Sequence, residues 1–318
     1  MLALYKEIQY HNYIKLVKKN FLLVTGGAGF VGTNLIKKIL VNTKLNVLSI
    51  DNYSSGFKKN HIKSKRVKYI SGNTSNIKNL TKNYKNKINA VFHFGEFSRI
   101  YQSFIKHKQC FDSNTRGTLA VFEFCLENKT KLIYSATSAS LGRKNEDKNL
   151  SPYAFTKSRN LELLNNLKEW FDFKYEAIYF YNVYGPHQIC EGEMATVIGI
   201  FQNQKINNKN LTVVKPGTQL RRFTHIDDTT DVCLDAWKDN KCLHYSISSK
   251  KSYSILEVAK MFKGPIKYLA NRPGERFSSS LPDSNLSNEI HQLFGKVSLK
   301  KYISSFLNNH SIRLKNKH

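Results

Sequence analysis

One loop constrains this chain more than any other stretch. Thr25-Gly26-Gly27-Ala28-Gly29-Phe30-Val31-Gly32 follows the apolar run Phe21-Leu22-Leu23-Val24 and leads into a helical pattern, Leu35 to Val41. Gly26, Gly29 and Gly32 recur every third residue. Glycine there lets the backbone turn tightly and approach a pyrophosphate, whose charge meets the N–H groups at the helix start. A glycine pattern alone is a weak signal; its place between a strand and a helix selects a parallel sheet with crossover helices.

The second expected strand, Asn46-Val-Leu-Ser-Ile50, ends at Asp51, about twenty residues past the loop. A carboxylate there can accept both hydroxyls of an adenosine ribose and repels a 2′-phosphate, which favours NAD over NADP. Asn52 follows with no Arg, and the next basic residues are Lys58 and Lys59.

The same alternation continues downstream. Val67-Lys-Tyr-Ile70, Ala90-Val-Phe-His-Phe94, Lys131-Leu-Ile-Tyr134 and Tyr175-Glu-Ala-Ile-Tyr-Phe180 read as strands. Thr118 to Leu126 and Tyr153 to Trp170 read as helices. Strands this poor in charge are covered on both faces. The expected fold is α/β, a doubly wound parallel (Rossmann) sheet with a smaller α+β C-terminal lobe. The dinucleotide domain is placed at 1–186 with 223–248 returning to it, and the lobe at 187–318. A chain of 318 residues is long enough for both.

Tyr153-Ala-Phe-Thr-Lys157 follows Ser151-Pro152. Proline is a good first residue of a helix, and residues four apart share a helix face. An ammonium beside a phenol favours phenolate, and such a Tyr serves as general base for an alcohol proton. The pair occurs by chance in many helices, so its weight comes from the cofactor loop upstream.

Composition bounds the alternatives. The net charge of +27 suggests nucleic acid, but the Lys residues are dispersed over the whole length and no nucleic-acid-binding signature occurs. No specific nucleic-acid partner is expected. The five cysteines, Cys110, Cys125, Cys190, Cys233 and Cys242, form no Cys-x-x-Cys pair, which suits free thiols in a reducing compartment and no metal site. Segment 1–20 has no apolar run fit for a signal peptide or a membrane span, so a soluble, cytoplasmic protein is expected, with that segment an amphipathic helix or basic lead.

Together these pieces resemble the extended short-chain dehydrogenase/reductases of the NAD-dependent sugar epimerase/dehydratase family. The matching stretches run in the family's order: Thr25 to Gly32, Asp51-Asn52, Gly72-Asn73, His93 to Ser98, Asn114 with Gly117-Thr118, Ser135 to Thr137, Tyr153 with Lys157, Tyr181-Asn-Val-Tyr-Gly-Pro186, Arg221 to Asp228 and Arg272-Pro-Gly-Glu275. The resemblance implies NAD as cofactor, held by Gly26, Gly29, Phe30, Val31, Gly32, Asp51, Asn52, Asn73, Phe94, Gly95, Asn114, Ser135, Tyr153, Lys157 and Tyr181. Asn73 stands where the family has an Asp that accepts from the adenine amino group. The implied catalytic set is Thr137, Tyr153 and Lys157, with Thr137 relaying the proton and Lys157 binding the nicotinamide ribose. The implied substrate is a nucleotide sugar, a UDP-sugar by the family's habit. It would meet Glu96, Arg99, Thr137, Asn182 and Met194, with Arg221 and Arg272 clamping its diphosphate. The family is usually a homodimer through helices that here span about 100–126 and 153–170.

Departures from the family pattern select the reaction. Dehydratases of the family carry an Asp-Glu pair after the catalytic Thr; here Ser138-Ala139-Ser140 follow Thr137. Without that acid the resemblance implies oxidation and re-reduction, hence 4-epimerisation of a UDP-activated hexose. The run to Pro186, with Met194-Ala-Thr-Val197, also resembles a heptose 6-epimerase branch. That branch has a second catalytic Lys where this chain has Glu191, beside Cys190. A reductase and a non-catalytic nucleotide sensor are the other readings. Glu96 replaces a small residue and Arg222 an Asp, and the segment between Gly142 and Tyr153 is short. Glu96 and Arg99 are expected near the sugar, tuning specificity or pairing with each other.

Overall fold

The computed structural model describes residues 19–141, 149–241, 243–274 and 290–315. Segment 1–18, the stretch from Gly142 to 148, Cys242, Glu275 and Asp283 lie outside the described residues. The strands are β1 (Phe21–Thr25), β2 (Asn46–Asp51), β3 (Val67–Ser71), β4 (Ile88–His93), β5 (Lys131–Thr137), β6 (Tyr175–Phe180), β7 (Asn182–Tyr184), β8 (Leu211–Val214), β9 (Leu220–His225), β10 (His244–Ser248), β11 (Ser252–Ser254), β12 (Ile266–Leu269) and β13 (Ile290–Phe294). The helices are α1 (Phe30–Asn42), α2 (Ile77–Leu80), α3 (Ile100–Ile105), α4 (His107–Phe111), α5 (Thr118–Glu127), α6 (Pro152–Phe171), α7 (Val197–Ile206), α8 (Ile226–Lys238), α9 (Ile255–Met261) and α10 (Leu299–Lys315).

Eight strands form one sheet in the order β13-β10-β6-β5-β4-β1-β2-β3, and every pairing is parallel. β1 has β2 on one side and β4 on the other, so the connections diverge there. Such a switch point opens a crevice beyond the C-terminal strand ends, where these sheets bind ligands. One face of the sheet packs Leu23, Val91 and Leu132 against Val121 and Phe122 of α5 and Leu161 and Leu164 of α6. The other face packs Leu22, Val24 and Ile133 against Leu35, Ile36 and Ile39 of α1 and Val232, Cys233 and Ala236 of α8. Coverage on both faces explains the charge-poor strands, and burying each large apolar side chain contributes about 1.5–3 kcal/mol.

The smaller lobe has a three-stranded sheet, β11-β9-β7, a two-stranded sheet, β12-β8, and its own core around Phe201, Val213, Phe223, Phe262 and Ile303. The stretch Phe223–Asp228, expected to rejoin the large sheet, does not. β9 pairs with β7 and β11, and what returns to the large sheet is the helix α8. The His225 side chain caps α8 by accepting from the Asp227 N–H at 3.2 Å, and Asp227 and Asp228 suit the positive helix start. β10 does join the large sheet, and β13 from the stretch assigned to the lobe adds its edge strand.

α6 carries the Tyr–Lys pair. Ser151 caps it by accepting from the Ala154 N–H at 3.1 Å, Pro152 opens it, and Asp172 ends it at φ +51°. Its buried stripe runs Tyr153, Lys157, Asn160, Leu161, Leu164, while Phe155, Arg159 and Glu162 face out. That stripe turns Tyr153 and Lys157 toward the crevice, while Asn160 donates to the Asn114 carbonyl at 2.7 Å.

Candidate active site

A cavity of about 1050 Å³ lies at the switch point and extends beneath the lobe. At one end Gly26, Gly29, Phe30, Val31 and Gly32 line it. Gly26 has φ +71°, and a methyl there would stand 2.9 Å from the Gly95 nitrogen. The backbone of the loop therefore lies directly on the Phe94–Gly95 turn, both of whose residues line the same cavity. α1 starts at Gly29 with no side-chain cap, which leaves its first N–H groups for an anion.

Asp51 lines this end too. Its carboxylate accepts from the Ala28 N–H at 2.9 Å and the Tyr53 N–H at 2.8 Å, so it holds the glycine loop as well as facing the cavity. Burial pushes its carboxyl above the usual value, against the lowering by those two bonds. Asn52 and Asn73 line the cavity, and Asn52 Nδ2 donates to Asn73 Oδ1 at 2.7 Å. The oxygen expected to meet an adenine is thus held by Asn52. Lys58 and Lys59 are not among the lining residues; Lys59 lies over the Phe57 ring.

Thr137, Tyr153 and Lys157 come together at the middle of the cavity. The Thr137 oxygen accepts from the Ala139 N–H at 3.2 Å, and its hydroxyl lies close enough to the Tyr153 phenol to favour phenolate. The phenol is pushed up to about 12, first by burial and also by the Glu96 charge, while Thr137 and the Arg99 guanidinium favour phenolate. The Lys157 ammonium bonds Glu96 and the Ser135 carbonyl, with Ser135 Oγ at 3.4 Å and the Tyr134 ring centroid at 4.7 Å. Lys157 is thus paired with a carboxylate placed 61 residues earlier in the chain.

Glu96 and Arg99 line the cavity but do not pair with each other. Only 2 % of the Glu96 side chain is exposed, so it lies below the surface that a sugar would touch. Arg99 donates to the Met194 carbonyl from Nε at 3.0 Å and from Nη2 at 2.5 Å, pinning the Met194 segment over Tyr153. Asn182, Met194, Arg221 and Arg272 line the end beneath the lobe; Asn182 Nδ2 donates to the Arg222 carbonyl at 3.0 Å, and the Arg272 guanidinium lies 4.9 Å from the Tyr101 ring centroid. Glu191 is exposed, and neither it nor Cys190 is among the lining residues.

Two residues expected at the cofactor stand differently. Asn114, on a π-helical turn, is fully buried and outside the lining. Its side chain accepts from the Phe97 N–H at 2.7 Å and donates to the Phe97 carbonyl at 3.0 Å, fixing the Glu96–Arg99 loop from behind. Tyr181 lines the cavity, but its hydroxyl is tied to Ser246 Oγ at 3.1 Å. Ser135 lines it and bonds the His93 carbonyl at 2.8 Å.

A chain of hydrogen bonds that sequence reasoning did not find runs behind the site. Thr25 Oγ1 accepts from the Phe94 and Gly95 N–H groups at 3.1 and 3.0 Å, so its own proton points to His93 Nδ1 at 2.7 Å. Burial holds His93 neutral, down to about 4, and the Thr25 proton on Nδ1 leaves the ring proton on Nε2, 3.0 Å from Thr118 Oγ1. Thr118 in turn donates to Glu96 Oε1 at 2.9 Å. Tyr134 and Asn160 donate to the same oxygen at 3.2 and 3.3 Å. Asn160 carried a signal in the sequence: a polar residue three after Lys157, on the stripe that α6 buries.

The model of the NAD dependent epimerase/dehydratase family matches residues 22–247. The chain is similar to an ADP-L-glycero-D-manno-heptose-6-epimerase of Brachyspira hyodysenteriae, 29% identical over 270 residues, 78% of this chain and 84% of the relative. Its structure is similar to that of a UDP-glucose 4-epimerase of Thermotoga maritima with UDP-glucose, at TM-score 0.81 and 22% identity, covering 92% of this chain and 99% of the other. A mutant UDP-glucuronic acid 4-epimerase of Bacillus cereus, in complex with a fluorinated UDP-sugar and NAD, is similar at TM-score 0.79 and 26% identity, covering 92% and 99%. The glycine cradle, the free helix start and Asp51 together fit a dinucleotide, and the chain belongs to the NAD dependent epimerase/dehydratase family, with NAD as its cofactor.

Proposed function

We propose that the protein is a nucleotide-sugar epimerase that inverts carbon 4 of a UDP-activated hexose. The observation that carries this reading is the Thr137–Tyr153 hydroxyl pair at the centre of a cavity that runs from the glycine loop to Arg221 and Arg272. Thr137 is followed by Ser138-Ala139-Ser140, which supply no acid to eliminate water. The cofactor, when bound, accepts one hydride from the sugar and later returns it. Tyr153 takes the proton of the sugar hydroxyl, with Thr137 donating to the oxygen that becomes negative. Arg221 and Arg272 hold the diphosphate, to which a guanidinium fork is suited, while the keto-sugar turns its other face. Asn182 and Met194 flank the sugar side.

A 6-epimerase is the second reading, favoured by the Brachyspira relative. It needs a second acid/base, and Glu191 is exposed and outside the cavity lining. One experiment separates the readings. Purified protein is incubated with UDP-glucose, UDP-N-acetylglucosamine, UDP-glucuronic acid and an ADP-heptose, and products are scored by NMR. A 4-epimer of a UDP-sugar without net NADH formation is expected. Epimerisation of the heptose alone, or net reduction of a keto-sugar, would overturn the proposal.

Asp51 is proposed to hold the adenosine ribose. Replacement with Ala removes charge-assisted hydrogen bonds, each of about 1.5–3 kcal/mol, so NAD should bind roughly 10–100-fold more weakly by calorimetry. An unchanged Kd would remove Asp51 from the cofactor site. A homodimer is proposed as well. Phe104 and Ile105 of α3, Phe111 of α4, Leu119 of α5 and Phe155 of α6 are all exposed, on the two helical stretches where the family pairs.

A further inference from the structure

We propose that Glu96 is a positioning residue of the reaction: its carboxylate anchors the Lys157 ammonium beside Ser135 and sets the charge that the Tyr153 phenol meets. The proposal rests on the reading of Tyr153 as the base. Glu96 sits where the resembling family has a small residue, so the pair is a property of this chain.

The geometry leaves the carboxylate no freedom to swing. Oε1 accepts from Thr118 at 2.9 Å, Tyr134 at 3.2 Å and Asn160 at 3.3 Å, while Oε2 takes Lys157 with Ser135 Oγ at 3.5 Å. Thr118, Tyr134, Asn160 and Lys157 are all donors, as a carboxylate requires. The Thr118 hydroxyl is itself oriented by the chain from Thr25 through His93, which begins at the glycine loop. Lys157 spends its protons on Glu96, on the Ser135 carbonyl and toward Ser135 Oγ, whose own proton goes to the His93 carbonyl. The side chains of Lys157 and Glu96 are 3 % and 2 % exposed, so water does not screen the pair.

The charges around the base can be counted from every element packed on it. β4 brings His93 and the loop after it Glu96 and Arg99; α4 brings Cys110; β5 brings Tyr134; α6 brings Lys157. Burial holds His93 down to about 4 and Cys110 up to about 11, and Tyr134 well above its ordinary value, so these three stay neutral near pH 8. What remains is the Glu96 anion, the Lys157 cation that it neutralises, and the Arg99 cation. Glu96 opposes the phenolate and Arg99 favours it.

The test is the pH dependence of turnover, in wild type, Glu96→Gln and Tyr153→Phe. Removing the Glu96 charge takes an anion away from the phenolate and leaves the Lys157 cation without its counter-charge. The acid limb of log kcat is therefore expected to move down by about one pH unit in Glu96→Gln. A side chain that merely fills space would change kcat or thermal stability and leave the limb in place, and that result overturns the proposal. Turnover retained in Tyr153→Phe overturns the base reading and the proposal with it; turnover lost there, with an unmoved limb in Glu96→Gln, overturns the proposal alone. Should Glu96→Gln fail to fold, the wild-type NAD complex decides. Lys157 Nζ within about 4 Å of the Glu96 carboxylate supports the anchor, and Lys157 withdrawn from Glu96 overturns it.

Discussion

Replacing Tyr153 with Phe is expected to lower kcat by roughly 10²–10⁴-fold, the usual worth of a positioned general base. The change removes one oxygen and keeps the ring. That ring packs with Phe97, Cys110, Ala139 and Ala154 under Met194, so the apolar contacts that hold the centre of the cavity persist. The partner left behind is the Thr137 hydroxyl, which still accepts from the Ala139 N–H and can bond a sugar hydroxyl in place of the phenol. NAD binding, measured by calorimetry, should stay within about threefold of wild type, or ~0.7 kcal/mol, because the glycine loop and Asp51 are untouched. A drop in kcat smaller than about tenfold would show that another group takes the proton. The same variant tests the electrostatics. Burial pushes the Tyr153 phenol up to about 12, so in the wild type only a small fraction is phenolate at neutral pH. Turnover should accordingly rise with pH through the neutral range, and the residual activity of the Phe variant should lose that slope.

How much of this was legible beforehand follows from range of interaction. The strands around the switch point were readable because each is buried on both faces, which leaves a short charge-free run such as Phe21 to Val24. β5 was read only to Tyr134, yet its ladder with β6 continues to Thr137. Ser135 and Thr137 are polar because they serve the cavity, and that polarity hid the strand. β9 was misplaced for a related reason: an alternating stretch shows that a strand exists but not which sheet takes it. The glycine loop, Asp51 and the Tyr153–Lys157 spacing are local patterns, and local patterns survive in sequence. The Lys157–Glu96 pair, the Asn114 clamp on Phe97 and the links from Thr25 through His93 to Thr118 join residues 17 to 68 positions apart, and no spacing encodes them. The clue that was present, an acid where the family has a small residue, marked Glu96 as unusual without naming its partner.

Lys157→Met should cost stability as well as activity. The buried pair carries two charges that neutralise each other in a medium where water is excluded. Met matches the length and much of the volume of Lys, so the packing term is small and the electrostatic one dominates. Removing the cation leaves the Glu96 carboxylate to Thr118, Tyr134 and Asn160, three neutral donors that orient it but do not balance it. Breaking one side of a buried pair typically costs about 3–5 kcal/mol, whereas replacing both sides is often near neutral. The three remaining donors place the expected loss toward the lower end, about 3 kcal/mol by urea unfolding of the protein without cofactor. The double variant Lys157→Met/Glu96→Gln should recover most of that loss, since a Gln amide can accept from Thr118 and leaves no charge behind. Turnover should be low in both, because neither variant keeps the ammonium. A single variant as stable as wild type would mean that the carboxylate escapes to water, which its 2 % exposure and three remaining donors argue against. If instead the double variant were less stable than the single, the pair would be held by packing rather than by charge. The coupling between the two sites, read from the four proteins together, separates these cases, because only a charge interaction makes the second substitution restore what the first removed.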